Sequence, residues 1–410
     1  MATRSTIWVV FVGLLIAALG VFFVVRRACG SRSPIDPGPP QTGVPRPTVL
    51  DDGSRWPMFR ASQGLLGTTS GTLPSTLSLL WKFKTGAEVR SSAAIADGRV
   101  FIGSSDAHLY ALDLRTGEKL WSYATDDAIE AAPCLVDEGV FVGSAGGFLY
   151  AVEAETGQLR WKYETDGEIL GAANWTRDPN GQGVRILVGS YDYMVHCVDS
   201  RTGQAVWTYE TDNYVNGAPA IDDGRCVFGG CDALIHVVSL ADGAKVAEID
   251  SGAYIAASAA FVGGDVFVGN YDNVFMKADI SQAKVTWEYA ESEGPILSTP
   301  AVTDDVIVFG SGDNLVYALA RDDGKPLWTF KTLGEVDSSP AVCSGKVIVG
   351  SGDGRLYMLE LATGKQLWSY EIGQPIISSP AVAQGVVVVG SDDGYVYAFG
   401  SLESDRRPSP

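Results

Sequence analysis

Eight glycines recur along the chain at nearly equal intervals, and each closes a run of Val, Ile and Phe residues such as VFIG or VIVG. The steps between them are 40, 46, 40, 40, 41, 40 and 40 residues. A repeat of this length that contains several short β-rich runs is typical of a β-propeller blade. The glycines are Gly103, Gly143, Gly189, Gly229, Gly269, Gly310, Gly350 and Gly390.

Each repeat contains four short β-rich runs separated by turn residues. In the seventh repeat they are residues 336–342, 346–350, 355–360 and 365–370, which we name strands A to D from the axis outward. Strand D carries a repeated tryptophan, which predicts packing between blades. The tryptophans are Trp81, Trp121, Trp161, Trp207, Trp287, Trp328 and Trp368, with Ala247 in place of one. We assign Ala247, and the turn Gln282-Ala283 that lacks glycine, to an irregular blade five.

The last repeat has strands A, B and C but no strand D. The run LLWKFKTG at 79–86 reads as a strand D that stands before the first strand A. Pairing the two ends in one sheet would remove two exposed strand edges. The sequence therefore predicts an all-β, eight-bladed propeller with four-stranded blades over residues 56–400, closed by its N- and C-terminal strands.

Charge and cysteine content exclude some functions. The chain has 49 acidic and 30 basic residues, for a formal charge of −19, which disfavours nucleic acid as a partner because a phosphate backbone needs a basic surface. The six cysteines form no CxxC pair. We interpret most of them as buried thiols and disfavour a disulfide between Cys226 and Cys231, which lie at the end of one strand.

The N-terminal segment predicts a membrane anchor. Residues 7–25 carry no charge and are long enough to cross a bilayer as a helix. We expect an uncleaved signal anchor in residues 1–30, with lipidation of Cys29 as the alternative, since Arg26 and Arg27 fit a lipoprotein signal poorly. Residues 31–55 are predicted to be a proline-rich linker and 401–410 a disordered tail. The flanking arginines leave a cytoplasmic propeller open.

The repeat SSPAV…GKVIVGSGDGRLYMLELATGKQLWSY resembles the pyrroloquinoline quinone (PQQ) repeat over about residues 56–400. That repeat is shared by quinoprotein alcohol dehydrogenases and by non-enzymatic propellers of the BamB type. The BamB resemblance implies a periplasmic scaffold that binds a protein partner, such as an outer-membrane barrel assembly complex, and needs no cofactor. The alternatives are a quinone-dependent oxidoreductase holding PQQ and Ca²⁺, and a ligand-sensing propeller.

One position near the start of each strand A is expected to line the axis. Three of these residues, Glu130, Asn216 and Asp337, could ligate a cation, and Trp175 could stack on a planar ligand. They stand on separate blades, however, and the chain lacks the adjacent cysteines of quinoprotein dehydrogenases. We therefore predict no catalytic, metal or cofactor residue. The axis positions are Arg90, Glu130, Leu170, Asn216, Ala256, Leu297, Asp337 and Ile377.

Partner-binding residues are expected in two places. The first is the funnel mouth, with Arg90, Glu130 and Asp337. The second is the insertion TRDPNGQG of blade three, with Arg177, Asp178 and Asn180, because insertions in repeat proteins often mark binding loops. The aspartates three residues after most blade glycines are interpreted as turn residues.

Overall fold

The computed structural model describes residues 52–179, 181 and 183–401. They form eight sheets, seven of four strands and one of five. Within each blade the strands follow the order A, B, C, D with antiparallel neighbours, and blade seven carries one added parallel strand. The predicted all-β, eight-bladed propeller is confirmed, whereas the predicted N-terminal helix lies outside the described residues.

Every blade contributes its strands in the order A, B, C, D. Blades one and two contain Ala94–Ala96, Arg99–Ser104, His108–Asp113, Lys119–Ala124, then Cys134–Val136, Gly139–Gly143, Phe148–Glu153 and Leu159–Glu164. Blades three and four contain Asn174–Arg177, Val184–Gly189, Met194–Asp199, Ala205–Glu210, then Ala220–Asp222, Arg225–Gly229, Leu234–Ser239 and Lys245–Asp250. Blades five and six contain Ala260–Val262, Asp265–Gly269, Phe275–Asp279, Lys284–Tyr289, then Ala301–Val302, Val306–Gly310, Leu315–Ala320 and Pro326–Lys331. Blades seven and eight contain Ala341–Cys343, Lys346–Gly350, Arg355–Glu360, Gln366–Glu371, then Ala381–Ala383, Val386–Gly390, Tyr395–Gly400 and Ser78–Lys84.

Blade eight joins both ends of the ring. Its strand D, Ser78–Lys84, pairs antiparallel with strand C, Tyr395–Gly400, in a register that places Lys82 opposite Tyr397. The two segments lie more than 300 residues apart in the chain, so this pairing depends entirely on the closed ring. The predicted closure by the terminal strands is confirmed.

Burial follows the position of each strand in its blade. All residues of strand B in blade two, Gly139–Gly143, are buried, because neighbouring blades cover both faces of the inner strands. The outermost strand of blade one, Lys119–Ala124, alternates between exposed and half-buried residues. Continuous apolar runs are therefore found in strands B and C, and alternating runs in strand D.

Each blade glycine contacts the next blade. A Cβ at Gly103 would lie 2.1 Å from Cγ2 of Ile129, in the connection that leads to strand A of blade two. The same contact closes the ring between Gly390 and Val89, at 2.4 Å from Cγ1. A side chain at these positions would push adjacent blades apart, so the period of glycine in the sequence is a packing requirement.

The repeated tryptophans also lie between blades. Nε1 of Trp81 donates a hydrogen bond of 2.9 Å to the carbonyl of Leu114 in blade one. The indole ring packs against Gly117 of the same turn, where a Cβ would lie 2.5 Å from the ring. Four further tryptophans donate to the following blade in the same way, namely Trp121, Trp161, Trp207 and Trp328.

Two departures from the repeat meet at one junction between blades. Ala247 belongs to strand D of blade four, and Ala283 to the turn between strands C and D of blade five. In the regular junctions a Cβ on the turn residue would approach a tryptophan ring to 2.5–2.7 Å. With alanine at 247 that ring is missing, and Ala283 takes the turn at φ 48°. Assigning both departures to blade five was wrong, since they compensate each other across two blades.

A carboxylate closes the turn between strands B and C and holds the tyrosine of strand C. In blade seven, Asp353 Oδ1 accepts the backbone N–H of Arg355 at 2.9 Å, and Oδ2 accepts the Tyr357 hydroxyl at 2.6 Å. Two histidines replace this tyrosine and contact their aspartates at 3.0 and 2.9 Å. These carboxylates therefore hold turns. The other pairs are Asp106–Tyr110, Asp313–Tyr317, Asp393–Tyr397, Asp192–His196 and Asp232–His236.

Blade two obtains the same carboxylate from another segment. Gly146 stands where the turn aspartate is found elsewhere, and Asp126, in the connection between blades one and two, accepts the Tyr150 hydroxyl at 2.7 Å. A Cβ on Gly146 would lie 1.9 Å from Asp126 Oδ2. The two carboxylate positions thus exclude each other.

This exchange predicts compensation between two substitutions. We expect Asp126→Ala to destabilise the fold by about 1–2 kcal/mol, because the half-buried Tyr150 hydroxyl loses the carboxylate that accepts its hydrogen bond. Gly146→Asp alone should also destabilise, through the close contact with Asp126. The double variant should recover most of the lost stability in urea unfolding. Simple additivity of the two losses would contradict the exchange.

The tyrosines of strand C predict a loss of stability at alkaline pH. Burial, followed by the hydrogen bond to the aspartate, raises the pKa of Tyr110, Tyr317, Tyr357 and Tyr397. Above a pH of about 10, the unfolded chain releases these protons while the folded chain retains them. The free energy of unfolding should therefore fall as pH rises through and beyond this value. Urea midpoints measured across the alkaline range test this, and Tyr357→Phe should flatten part of the decline; an unchanged slope would contradict the assignment.

Residues 53–71 close the axis at the end where strands A turn into strands B, and we call them the axial plug. The backbone of Trp56 exchanges hydrogen bonds of 2.8 and 2.7 Å with Ile95 of blade one. Gln63 contacts blade three through Asn174 and Trp175. Plug carbonyls accept backbone N–H groups from strands A of five further blades, at Leu135, Ile221, Phe261, Val302 and Val342, and from the A–B turn of blade eight, at Gln384.

The axial plug satisfies an edge that the blades alone would leave open. Strand A is the innermost strand of each sheet. Its edge that is not paired with strand B faces the axis, and the backbone groups along that edge need hydrogen-bond partners. Thr68–Thr69 adds a parallel strand to Val342 and Cys343 of blade seven. Trp56, Met58 and Leu65 of the plug are 2 % exposed or less. The sequence pattern assigns residues 53–55 to the linker, whereas the structure includes them in the plug.

Candidate functional site

The structure brings all eight predicted axis residues to the wall of one cavity. It has a volume of about 310 Å³ and opens on the face that carries the D–A connections and the B–C turns, which we call the funnel face. Phe59 of the axial plug forms its floor. The opposite face, which carries the plug, the A–B turns and the C–D turns, is the plug face.

The basic residue of the cavity is held between two carboxylates. Arg90 Nε lies 3.3 Å from Asp392 Oδ1, and Arg90 Nη1 lies 3.8 Å from Glu130 Oε1. The hydrogen bond to Asp392 is the main cause that raises the pKa of Arg90. Since the side chains of Arg90 and Glu130 are 42 % and 37 % exposed, the pair adds little stability. These contacts fix charged groups at the mouth of the funnel.

The opposite wall carries an acidic and a neutral polar group. Burial, followed by the nearby Glu335, raises the pKa of the Asp337 carboxyl. Asn216 accepts a hydrogen bond from the Tyr191 hydroxyl at its Oδ1. Both side chains line the cavity, and the amide oxygen of Asn216 is already occupied by the hydrogen bond from Tyr191.

Below the mouth, the wall consists of small side chains linked from blade to blade. The Ser339 backbone N–H donates to Ser379 Oγ at 3.0 Å, and the Ser379 backbone N–H donates to Ser92 Oγ at 2.9 Å. These three serines line the cavity. Their hydroxyls therefore serve first to join adjacent strands A.

The remaining candidates lie elsewhere. Trp175 is half-buried beside the axial plug and is not part of the cavity lining. The insertion of blade three joins strands A and B, so Arg177 and Asp178 lie on the plug face, and Asn180 is outside the described residues. Asp178 pairs with Arg185 at 2.9 Å, and Arg185 also donates to the carbonyls of Leu240 and Ala241. The two predicted groups of partner-binding residues are thus on opposite faces.

The candidate oxygen ligands on the axis do not form a calcium site. Ca²⁺ requires six to eight oxygen ligands that converge on one point, whereas Glu130, Asn216 and Asp337 come from blades two, four and seven. Glu130 also faces Arg90, and Asn216 is bonded to Tyr191. Across residues 52–179 and 183–401, no three His, Cys, Asp or Glu side chains are close enough to hold a metal ion. In the described part of the chain, Cys134, Cys197, Cys226 and Cys231 are free thiols.

Sequence comparison gives the family. The family model described as "Outer membrane protein assembly factor BamB" matches residues 72–182, 164–250, 231–336 and 312–406, which together span the propeller. The chain belongs to the BamB family. No curated protein sequence matches it.

Solved structures show the same fold at low sequence identity. BamB from Moraxella catarrhalis is 20 % identical with a TM-score of 0.67, over 79 % of this chain and 100 % of that one. The quinohemoprotein alcohol dehydrogenase ADHIIG from Pseudomonas putida HK5 is 12 % identical with a TM-score of 0.72, over 88 % and 82 %. The computationally designed Ika8 protein is 19 % identical with a TM-score of 0.68, over 78 % and 98 %. These likenesses establish the fold and do not distinguish a BamB-type from a quinoprotein function.

The membrane anchor predicted from the sequence falls in residues 1–30, outside the described residues. In the part of the chain that the structure describes, no helix is both long and apolar enough to span a bilayer.

Proposed function

We propose that this BamB-family chain is a non-catalytic scaffold of the bacterial cell envelope, which binds a protein partner and assists the assembly of outer-membrane proteins. In this proposal an N-terminal helix anchors the chain and the propeller is periplasmic. The family match over residues 72–406 carries the proposal. The funnel also supports it, because Arg90 pairs with Glu130 and Asn216 bonds to Tyr191 instead of converging on a ligand.

The architecture suits a rigid platform. The ring is closed by a terminal strand pair, by glycine contacts at every junction and by an axial plug that bonds to all eight blades. Such a ring presents the loops of its funnel face in fixed relative positions, as pre-organised binding requires. The partner would be an outer-membrane barrel assembly complex or one of its subunits.

Site-specific photocrosslinking in cells tests this proposal. A crosslinking amino acid is placed at Leu333, 80 % exposed on the funnel face, and in a matched variant at Lys325, whose side chain is 78 % exposed on the plug face. We expect Leu333 adducts to contain subunits of an outer-membrane barrel assembly complex and Lys325 adducts to lack them. Adducts made only with cytoplasmic proteins would reject both the role and the location.

The likeness to quinoprotein dehydrogenases defines the alternative. A quinone-dependent oxidoreductase would acquire a bound chromophore when PQQ and Ca²⁺ are added to the purified chain, and would oxidise alcohols with an artificial dye as electron acceptor. We expect neither signal. Both signals together, lost on Asp337→Ala, would replace the scaffold proposal.

A further inference from the structure

Five tyrosines lie on the funnel face of blades three to five, and we call them the tyrosine patch. The ring centroids of Tyr191 and Tyr214 are 4.6 Å apart, and those of Tyr193 and Tyr214 are 5.1 Å apart. On the neighbouring blade the Tyr271 N–H donates to the Tyr254 carbonyl at 2.9 Å. Tyr254 and Tyr271 are 59 % and 55 % exposed, and Tyr193 and Tyr214 are 42 % and 41 % exposed. Blades three to five thus expose four aromatic rings to solvent on one face.

The fold does not require these tyrosines. At the position of Tyr214 and Tyr254, other blades have Glu88, Ala128, Glu168, Pro295, Glu335 and Pro375. Tyr193 occupies a turn position with φ 73°, which glycine, alanine or asparagine fills in the other blades, for example Gly354 at 80° and Ala233 at 66°. A bulky side chain in this left-handed conformation carries a strain that glycine avoids. Blades three to five therefore carry aromatic rings for a reason other than the repeat.

The connections and turns nearest the patch carry acidic but no basic side chains. The nearby connections and turns, residues 165–173, 190–193, 211–219, 230–233, 251–259, 270–273 and 290–300, contain no Lys or Arg. Burial, followed by the neighbouring Cys231 thiol and the carboxylates of Glu168 and Glu130, raises the pKa of Tyr191. The exposed acidic side chains around it are Asp166, Glu168, Asp212, Asp272, Glu291 and Glu293.

We propose that the tyrosine patch and its acidic surroundings bind an extended segment of a partner polypeptide that is rich in arginine and lysine. Aromatic faces attract guanidinium and ammonium groups at short range. The surrounding carboxylates attract the same groups over a longer distance and repel acidic chains. The inference deepens the scaffold proposal and rests on it, since it names the surface and the chemistry by which the scaffold holds its partner.

Binding of defined peptides to the purified full-length chain in mild detergent tests the inference. The probes are a fluorescent peptide of alternating Arg and Gly, and versions in which Gln or Glu replaces every Arg. We expect the Gln peptide to bind roughly tenfold more weakly than the Arg peptide, the Glu peptide to give no measurable anisotropy change, and added salt to weaken the Arg peptide. Equal binding of the Arg and Gln peptides would overturn the inference. Binding of a neutral oligosaccharide by a chain that does not bind the Arg peptide would also overturn it.

Variants locate the binding surface. Tyr254→Ser combined with Tyr271→Ser removes the two most exposed rings, and we expect Arg-peptide binding to weaken by roughly tenfold. Leu327→Ser, a change at a residue of strand D in blade six that is 51 % exposed and lies outside the patch, is the matched control and should bind as the parent does. An equal loss in both would overturn the location. Peptide failure with intact Leu333 crosslinks would reject this surface alone, whereas loss of the crosslinks with intact peptide binding would reject only the envelope partner.

Discussion

A chain that ends after Asp393 is expected to yield no folded propeller. The truncation removes strand C of blade eight and, with it, the buried side chains of Val396, Tyr397 and Phe399. Burial of each such side chain contributes about 1.5–3 kcal/mol, and a domain is stable by only about 5–15 kcal/mol in total. Strand D of the same blade, Ser78–Lys84, also loses the strand to which it is hydrogen-bonded. Soluble yield, gel filtration and near-ultraviolet circular dichroism measure the result.

A chain that ends after Ser401 is the matched control, since it removes only residues 402–410. It should unfold in urea within about 0.5 kcal/mol of the full chain. A graded variant, Phe399→Ala, should fold and lose about 3–5 kcal/mol, because the Phe399 ring packs at 4.9 Å from Tyr370 of blade seven. If the shorter chain gave a native spectrum and an unchanged urea midpoint, the terminal strand pair would not be what closes the ring.

The regular part of this fold could be predicted because the ring repeats one junction. Gly103 and Trp121 appear in the sequence at fixed offsets because each must meet the same partner in the next blade. The axis residues follow for the same reason: once strand A is located, Glu130 and Asp337 occupy equivalent positions at the funnel mouth. A physical constraint that acts at every junction leaves a period that can be read from one sequence.

Features that occur once in the ring could not be predicted in this way. The axial plug bonds to the blades mainly through backbone carbonyls, and every residue type has a backbone carbonyl. The apolar residues Trp56, Met58 and Leu65 are therefore its main trace in the sequence. In blade two, Asp126 from the connection between blades replaces the turn aspartate that is missing at Gly146, so the carboxylate comes from a different loop. Trp175 was a candidate for the cavity, but the direction of its side chain depends on the plug that covers the axis. Each of these features is a contact between segments that the repeat does not relate.

The axial plug should therefore contribute more to stability than its length suggests. Trp56→Ala is expected to lower the free energy of unfolding by about 3–5 kcal/mol, and Leu65→Ala by about 2–5 kcal/mol, because both side chains are buried among residues of strands A and leave cavities. Urea unfolding measures the losses, with Leu333→Ala, a change at an exposed side chain, expected within about 0.5 kcal/mol of the parent. Hydrogen exchange provides a second readout, since the N–H groups of Leu135 and Phe261 donate to plug carbonyls. In the plug variants these amides should exchange faster than amides of strand C in the same blades. Losses below about 1 kcal/mol with unchanged exchange would mean that the ring is stable without its plug.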